Sequence, residues 1–144
     1  SDVCSSDLAP QDEIKKAALF GEMIGIAFQI KDDIFDYFDN EELGKPTGND
    51  MMEGKLTLPA LHVLNTCADE AKKELALRIR SLSASKEEIA GFVDYVKQEG
   101  GIAYAEKVMY DYRNKALALL PESADEAIRA ALTAYIDYVI ERNK

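Results

Sequence analysis

From Gln11 to about Asp39 the apolar residues do not keep to one stripe. Ile14, Ala18, Phe20, Met23, Ile24, Ile26, Phe28, Ile30, Ile34, Phe35 and Phe38 cover most of a helical circumference, which is the pattern of a helix enclosed by other protein. No proline interrupts the stretch, and Pro10 stands before or at its first turn, where its missing N–H costs nothing. The pattern predicts one long central helix. The residues ahead of it, 1–9, are mostly small and polar and break sharply from this periodicity; they are expected to be a disordered and non-native end, leaving 10–144 as the folded part. Gly21 and Gly25 lie inside the helix, and each costs about 1 kcal/mol relative to Ala, so close packing or a ligand is expected beside them.

The segment Asn40 to Asp50 reads as a loop, because Gly44-Lys45-Pro46-Thr47-Gly48 stops the helix. Leu58, Leu61, Val63 and Leu64 then recur at helical spacing and predict a short helix to about Thr66. Four more helices are predicted, over Ala68 to Ser81, Lys86 to Glu99, Ile102 to Leu120 and Ala124 to Arg142. Ser85 with Glu88, and Ser123 with Glu126, match the Ser-x-x-Glu capping box, while Gly100-Gly101 and Pro121 punctuate the pattern between helices. No strand-like alternation, internal repeat or low-complexity tract is present. The expected class is all-α, as one domain of ordinary size.

Charge narrows the partners. Lys and Arg total 17 against 27 Asp and Glu, a formal charge of −10, so the overall field repels a nucleic-acid backbone. A small phosphorylated ligand remains compatible, since a site answers to its nearest charges. Cys4 and Cys67 belong to no metal-ligand spacing, and no apolar run of spanning length or charged-then-apolar leader is visible. A soluble chain in the reducing cytoplasm is the expectation.

One polar feature breaks the apolar helix. At about 100° per residue, Gly25, Gln29 and Asp36 fall near one line, with Asp32 and Asp33 on either side of it. Three like charges on a largely apolar surface raise the free energy unless cations neutralise them. Oxygen-only ligands without His or Cys suit a hard ion, and Mg²⁺ can share its shell with the oxygens of a diphosphate. An EF-hand does not fit, because Asp36 to Glu42 lacks the alternating Asx spacing and the glycine of that loop. A plain acidic helix end facing solvent is the other reading of the triplet. Lys45 and Lys55 add point charges in the segment that leaves this helix, where each could reach a phosphate oxygen, although a loop lysine taken singly is usually only solvated. Asp50 and Glu53 are open between further ligands or water-positioning groups and, for Asp50, the N-cap of the next turn. His62 is the only histidine and, with no Ser or Cys nucleophile arranged around it, reads as a packing residue. The tyrosines from Tyr104 to Tyr138 likewise read as packing residues with a hydrogen-bonded hydroxyl.

The run Gly25-Ile26-Ala27-Phe28-Gln29-Ile30-Lys31-Asp32-Asp33-Ile34-Phe35-Asp36-Tyr37 resembles the second aspartate-rich motif of trans-isoprenyl (polyprenyl) diphosphate synthases. Gly44 to Asp50 and then Glu53-Gly54-Lys55-Leu56-Thr57-Leu58-Pro59 resemble the segment that follows it, and Gly100-Gly101-Ile102 with the closing helices extends the likeness over Ala9 to Lys144. The resemblance implies the C-terminal part of an isoprenoid-synthase-type helical bundle, with the motif helix lining a deep cavity. It implies that Asp32, Asp33 and Asp36, with Asp50 as a further candidate, bind Mg²⁺. Gln29 and Lys45 would contact the allylic diphosphate, Lys55 would assist, and Phe28 would border the isoprenoid. Asp32, Asp33 and Lys45 would form the catalytic set.

The implied reaction is condensation of an allylic diphosphate with isopentenyl diphosphate, in an enzyme that is a homodimer when complete. The family's first aspartate-rich motif and its upstream basic residues are absent from these residues. The expectation is therefore a prenyltransferase fragment, inactive alone, whose product length is set by residues near the missing motif. Two alternatives stand beside it: a non-catalytic subunit of a two-chain synthase, and a helical interaction module with an incidental acidic stripe. A class I terpene cyclase shares the metal logic but ranks lower, given Phe28-Gln29 and the Gly44-Lys45 loop.

Overall fold

The computed structural model describes residues 2–38, 47–66, 69–120 and 125–141, with side chains from 11 onward. Among them every regular element is helical: α1 (Asp2–Phe35), α2 (Asn49–Met52), α3 (Leu58–Thr66), α4 (Glu70–Arg80), α5 (Lys86–Gln98), α6 (Gly101–Ala118) and α7 (Glu126–Glu141). The class is all-α. The predicted helices from α3 onward fall within about two residues of these bounds, because their ends carry local signals. Asp69 caps α4 by accepting the Lys72 N–H at 2.9 Å, and Ser85 and Glu88 form both halves of a capping box at α5, at 3.1 and 3.0 Å. Ser123, expected to cap the last helix, lies outside the described residues; Asp125 accepts the Ala127 N–H there at 3.0 Å.

Three expectations change. Helical backbone begins at Asp2, ahead of Gln11, so Pro10 lies within α1 and not before or at its first turn. The helix also ends sooner than Asp39. The Asp36 N–H reaches Asp32 O at 3.3 Å, and the next two N–H groups tighten to i−3 acceptors, Tyr37 to Ile34 O and Phe38 to Phe35 O at 3.0 Å, the usual narrowing of a terminal turn. Finally, α1 is not enclosed along its whole length by the described helices. Ile14 is 66 % and Leu19 42 % exposed, and burial begins at Ile24. A Cβ added at Gly21 or Gly25 meets nothing within 4 Å, so packing among the described residues does not require either glycine.

The chain packs as two compact units, each with its own apolar centre, Ser1–Gln29 with Met109–Asn143 in one and Ile30–Val108 in the other. In the first, Ile24, Ala116 and Ile136 are buried together, with Phe20, Met23, Phe28 and Leu117 packed on them. Arg113 Nε and Nη2 donate to both oxygens of Asp137 at 2.7 and 2.8 Å, a two-pronged pairing that fixes α6 against α7.

In the second unit, Tyr37, Met51, Ala60, Val63, Ile79, Phe92, Val93 and Val96 form the centre, drawn from α2, α3, α4, α5 and the turn after α1. Helices come close at Gly101, where a Cβ would stand 2.6 Å from Val96 Cγ1 and 2.7 Å from the Pro59 carbonyl. His62 stacks on Tyr104 with ring centroids 3.7 Å apart and planes at 6°, which agrees with its reading as a packing residue.

Candidate functional site

The last turn of α1 carries Asp32 and Asp33 and no basic residue, and Asp36 follows its end. A helix C-terminus is the negative pole of the helix dipole, so each carboxylate there is disfavoured by roughly 0.3–1 kcal/mol at low ionic strength. Lys31, one residue ahead, holds its ammonium 4.7 Å from the Phe35 ring centroid. The sequence therefore concentrates negative charge where the backbone opposes it, and a cation or its equivalent is the physical answer to such a surface.

The acids are not alike. Asp32 is exposed, whereas Asp33 and Asp36 are half-buried. The Asp36 Oδ1 accepts the Asn49 N–H and its Oδ2 the Asp50 N–H, both at 3.0 Å, while its carbonyl accepts the Gly48 N–H at 2.8 Å. These are the open amides at the start of α2, whose own N-cap residue, Gly48, has no side chain to satisfy them. Gly48 itself adopts φ 77°, and a Cβ there would press on Ile89 Cγ2 at 2.9 Å, so glycine suits the position twice over. Burial pushes the Asp36 carboxyl up to about 6 from 3.8, with Asp50 and Asp33 adding to the rise and the two amides opposing it.

Next to it, Tyr37 is 1 % exposed. Its hydroxyl lies beside Thr57 and the Ala60 backbone without a well-formed hydrogen bond, and burial pushes it well above the usual tyrosine range.

The segment after α2 is bound back onto Asp50. The Asp50 carbonyl accepts the N–H of Lys55 at 2.8 Å and of Glu53 at 3.1 Å. Asp50 is half-buried in the first turn of α2 and is not its N-cap. The Lys55 ammonium is exposed and pairs with Glu53 at 3.3 Å. The turn thus places an acid and a base a short distance in sequence from the amides that Asp36 holds.

Of the other anticipated residues, Gln29 is exposed on α1 one turn before Asp32 and Asp33, and Phe28 packs on the first unit's apolar centre. Lys45 lies outside the described residues. Among the described residues no three His, Cys, Asp or Glu side chains converge as a set able to hold a metal ion. Each Asp36 oxygen takes one amide hydrogen bond, which distinguishes it from Asp32 on the same stripe. The donor chemistry still suits Mg²⁺, which commonly takes one or two carboxylates and completes its shell with water and phosphate oxygens. Sequence reasoning missed α2 and the part played by the Gly48, Asn49 and Asp50 amides; the Thr47-Gly48-Asn49-Asp50 composition marks a turn but does not say which side chain caps it. Among the described residues no helix is long and apolar enough to cross a membrane.

A sequence profile described as polyprenyl synthetase matches residues 3–96. The chain is 35 % identical over 136 residues to a short chain isoprenyl diphosphate synthase of Methanothermobacter thermautotrophicus, across 93 % of this chain and 41 % of that protein. It is similar to the crystal structure of a geranylgeranyl pyrophosphate synthase from Bacteroides thetaiotaomicron, with TM-score 0.83 and 50 % identity over 90 % of this chain and 42 % of that one. It is also similar to a polyprenyl synthase from Caulobacter crescentus complexed with calcium and isoprenyl diphosphate, with TM-score 0.75 and 28 % identity over 90 % of this chain and 40 % of that one. The chain thus spans about two fifths of the length of these proteins.

Proposed function

Because the chain belongs to the polyprenyl synthetase family, we propose that it supplies one metal- and diphosphate-binding side of a prenyltransferase site, in an enzyme that joins an allylic diphosphate to isopentenyl diphosphate. The observation that carries this reading is the acidic end of α1, with α2 and the Lys55 segment tied to it through Asp36. Asp32 and Asp33 would hold Mg²⁺, which when bound neutralises diphosphate oxygens and stabilises the departing group. The Caulobacter relative's calcium and isoprenyl diphosphate lend support to a divalent cation and a prenyl diphosphate as ligands.

In this reading the chain's own groups act on the leaving group and on position. Lys45 and Lys55 donate to diphosphate oxygens as the allylic C–O bond breaks and negative charge collects there. Gln29 orients the same diphosphate, and Phe28 borders the hydrocarbon, shielding the allylic cation from water. The double bond of isopentenyl diphosphate then forms the new C–C bond, and loss of a proton from the product cation completes one five-carbon extension, with inorganic diphosphate released.

The 144-residue chain alone is expected to be inactive, since opposing carboxylates are needed to hold the diphosphate between two sets of metal ligands. The complete enzyme is proposed to be a cytoplasmic homodimer. The test is incorporation of radiolabelled isopentenyl diphosphate onto an allylic primer. Mg²⁺-dependent elongation is expected from the complete enzyme and none from the chain alone; robust elongation by the chain alone, or a complete enzyme that elongates equally well in EDTA, would refute this assignment.

A further inference from the structure

We infer that Asp36 is a positioning residue and not a metal ligand: its carboxylate fixes the start of α2 to the end of α1, and so sets where Asp50 and Lys55 stand relative to Asp32 and Asp33. The inference rests on the proposed function above and refines the division of labour within that site.

The bonding pattern carries it. One residue accepts three consecutive amides, Gly48 through its carbonyl and Asn49 and Asp50 through its two carboxylate oxygens, at 2.8, 3.0 and 3.0 Å. Those amides belong to a single-turn helix with no cap of its own, and charge-assisted bonds to such amides are among the stronger ones available to a protein. The order then passes along the chain, because the Asp50 carbonyl holds the Lys55 N–H at 2.8 Å. Ligation would compete with this arrangement. A cation drawing electron density from both oxygens weakens their acceptance from the Asn49 and Asp50 amides. Asp32, exposed on the same helix end, has no such constraint.

The test uses the complete enzyme, with Mg²⁺ and inorganic diphosphate as the probe. Amide exchange at Asn49 and Asp50 is followed with and without the probe, and Mn²⁺ affinity is measured by EPR. In the wild type the two amides are expected to stay protected when the probe binds. Asp36→Ala should exchange them about tenfold faster or more and weaken diphosphate binding, with a smaller loss of Mn²⁺ affinity than Asp32→Ala shows. Asp36→Asn, retaining one acceptor oxygen, should recover part of both losses. Asp32→Ala should do the reverse, losing Mn²⁺ affinity about tenfold or more with the amides still protected. The inference is overturned if the probe strips protection from the wild-type amides, or if Asp36→Ala loses Mn²⁺ affinity as far as Asp32→Ala does. A wild-type enzyme that binds no diphosphate at any Mg²⁺ concentration overturns instead the reading of the site on which the inference rests.

Discussion

Helices α5 and α2 solve the same problem by opposite means. At α5 the cap is local: Ser85 and Glu88 exchange hydrogen bonds across three residues, and the Arg78 guanidinium joins Glu88 in an exposed pair. At α2 the cap comes from Asp36, separated by 13 residues from one amide and 14 from the other. A local cap stabilises its own helix and little else. A distant cap also ties down whatever lies at its other end, so the two differ in what their loss should disturb.

The largest expected separation is in catalysis. In the complete enzyme, Asp32→Ala should lower kcat/KM for the allylic substrate by about 10²–10³-fold at saturating Mg²⁺, the scale seen when one electrostatic contact to a developing charge is removed. Ser85→Ala should leave it within about twofold. Steady-state kinetics of the two variants decides this, and equal losses would remove the site-specific role of Asp32.

Close packing is the next test of long-range ties. Gly101→Ala places a methyl 2.6 Å from Val96 Cγ1 and 2.7 Å from the Pro59 carbonyl, and such overpacking typically costs about 1–3 kcal/mol. A chemical denaturation midpoint that does not fall would show that α3 and α6 separate without penalty.

Ser85→Ala should cost roughly 1 kcal/mol, the usual value for a lost N-cap hydroxyl. Exchange should quicken only in the first turn of α5, in contrast to the spread expected from Asp36→Ala. Loss of protection at α2 as well would erase the distinction between local and distant caps.

The last contrast is in pH dependence, and it has opposite signs at the two caps. The Glu88 carboxyl is held below its usual range, chiefly by the Ser85 N–H and then by Arg78, so its contribution is present above the ordinary carboxylate pKa and is lost as pH falls. Asp36, pushed up to about 6 by burial, contributes most below its ordinary pKa of 3.8, and that contribution is lost as pH rises through 6. In metal-free buffer, wild type should therefore lose stability relative to Asp36→Asn between about pH 4 and 7, and gain relative to Glu88→Gln over the acid limb. Denaturation curves collected across that range check both signs.

The same contrast explains what the sequence reveals. Capping boxes, glycine pairs and 3.6-residue periodicity are written within a few residues of the structure they cause, so α3 to α7 could be placed from Leu58 onward to within about two residues. The aspartate run was equally visible as chemistry. Its internal division of labour was not, because whether an acid faces solvent or an amide depends on where a segment a dozen residues away comes to rest. Helix α2 was hidden for the same reason: Thr47-Gly48-Asn49-Asp50 reads as loop, and only Met51 in the core and Asp36 at the amides make one helical turn worth forming. The enclosure of α1 was over-read, since apolar residues all round a helix report what the helix could bury rather than which neighbours are there, as exposed Ile14 shows.

The acidic end of α1 bears on more than ligand binding. Three carboxylates gather at the negative pole of a long helix whose last turn holds no basic residue, so mutual repulsion and the dipole both load this end against the folded state. Screening relieves that load: at 0.01 M ionic strength the Debye length is about 30 Å and at 1 M about 3 Å. Added salt should therefore lower the electrostatic cost of this helix end, while Ile34 and Tyr37 in the core and the amides on Asp36 hold it in place. A divalent ion held there would act by mass action on folding itself, adding RT ln(1 + [ion]/Kd) to stability. A bound ion would then also lengthen the time the chain survives proteolysis.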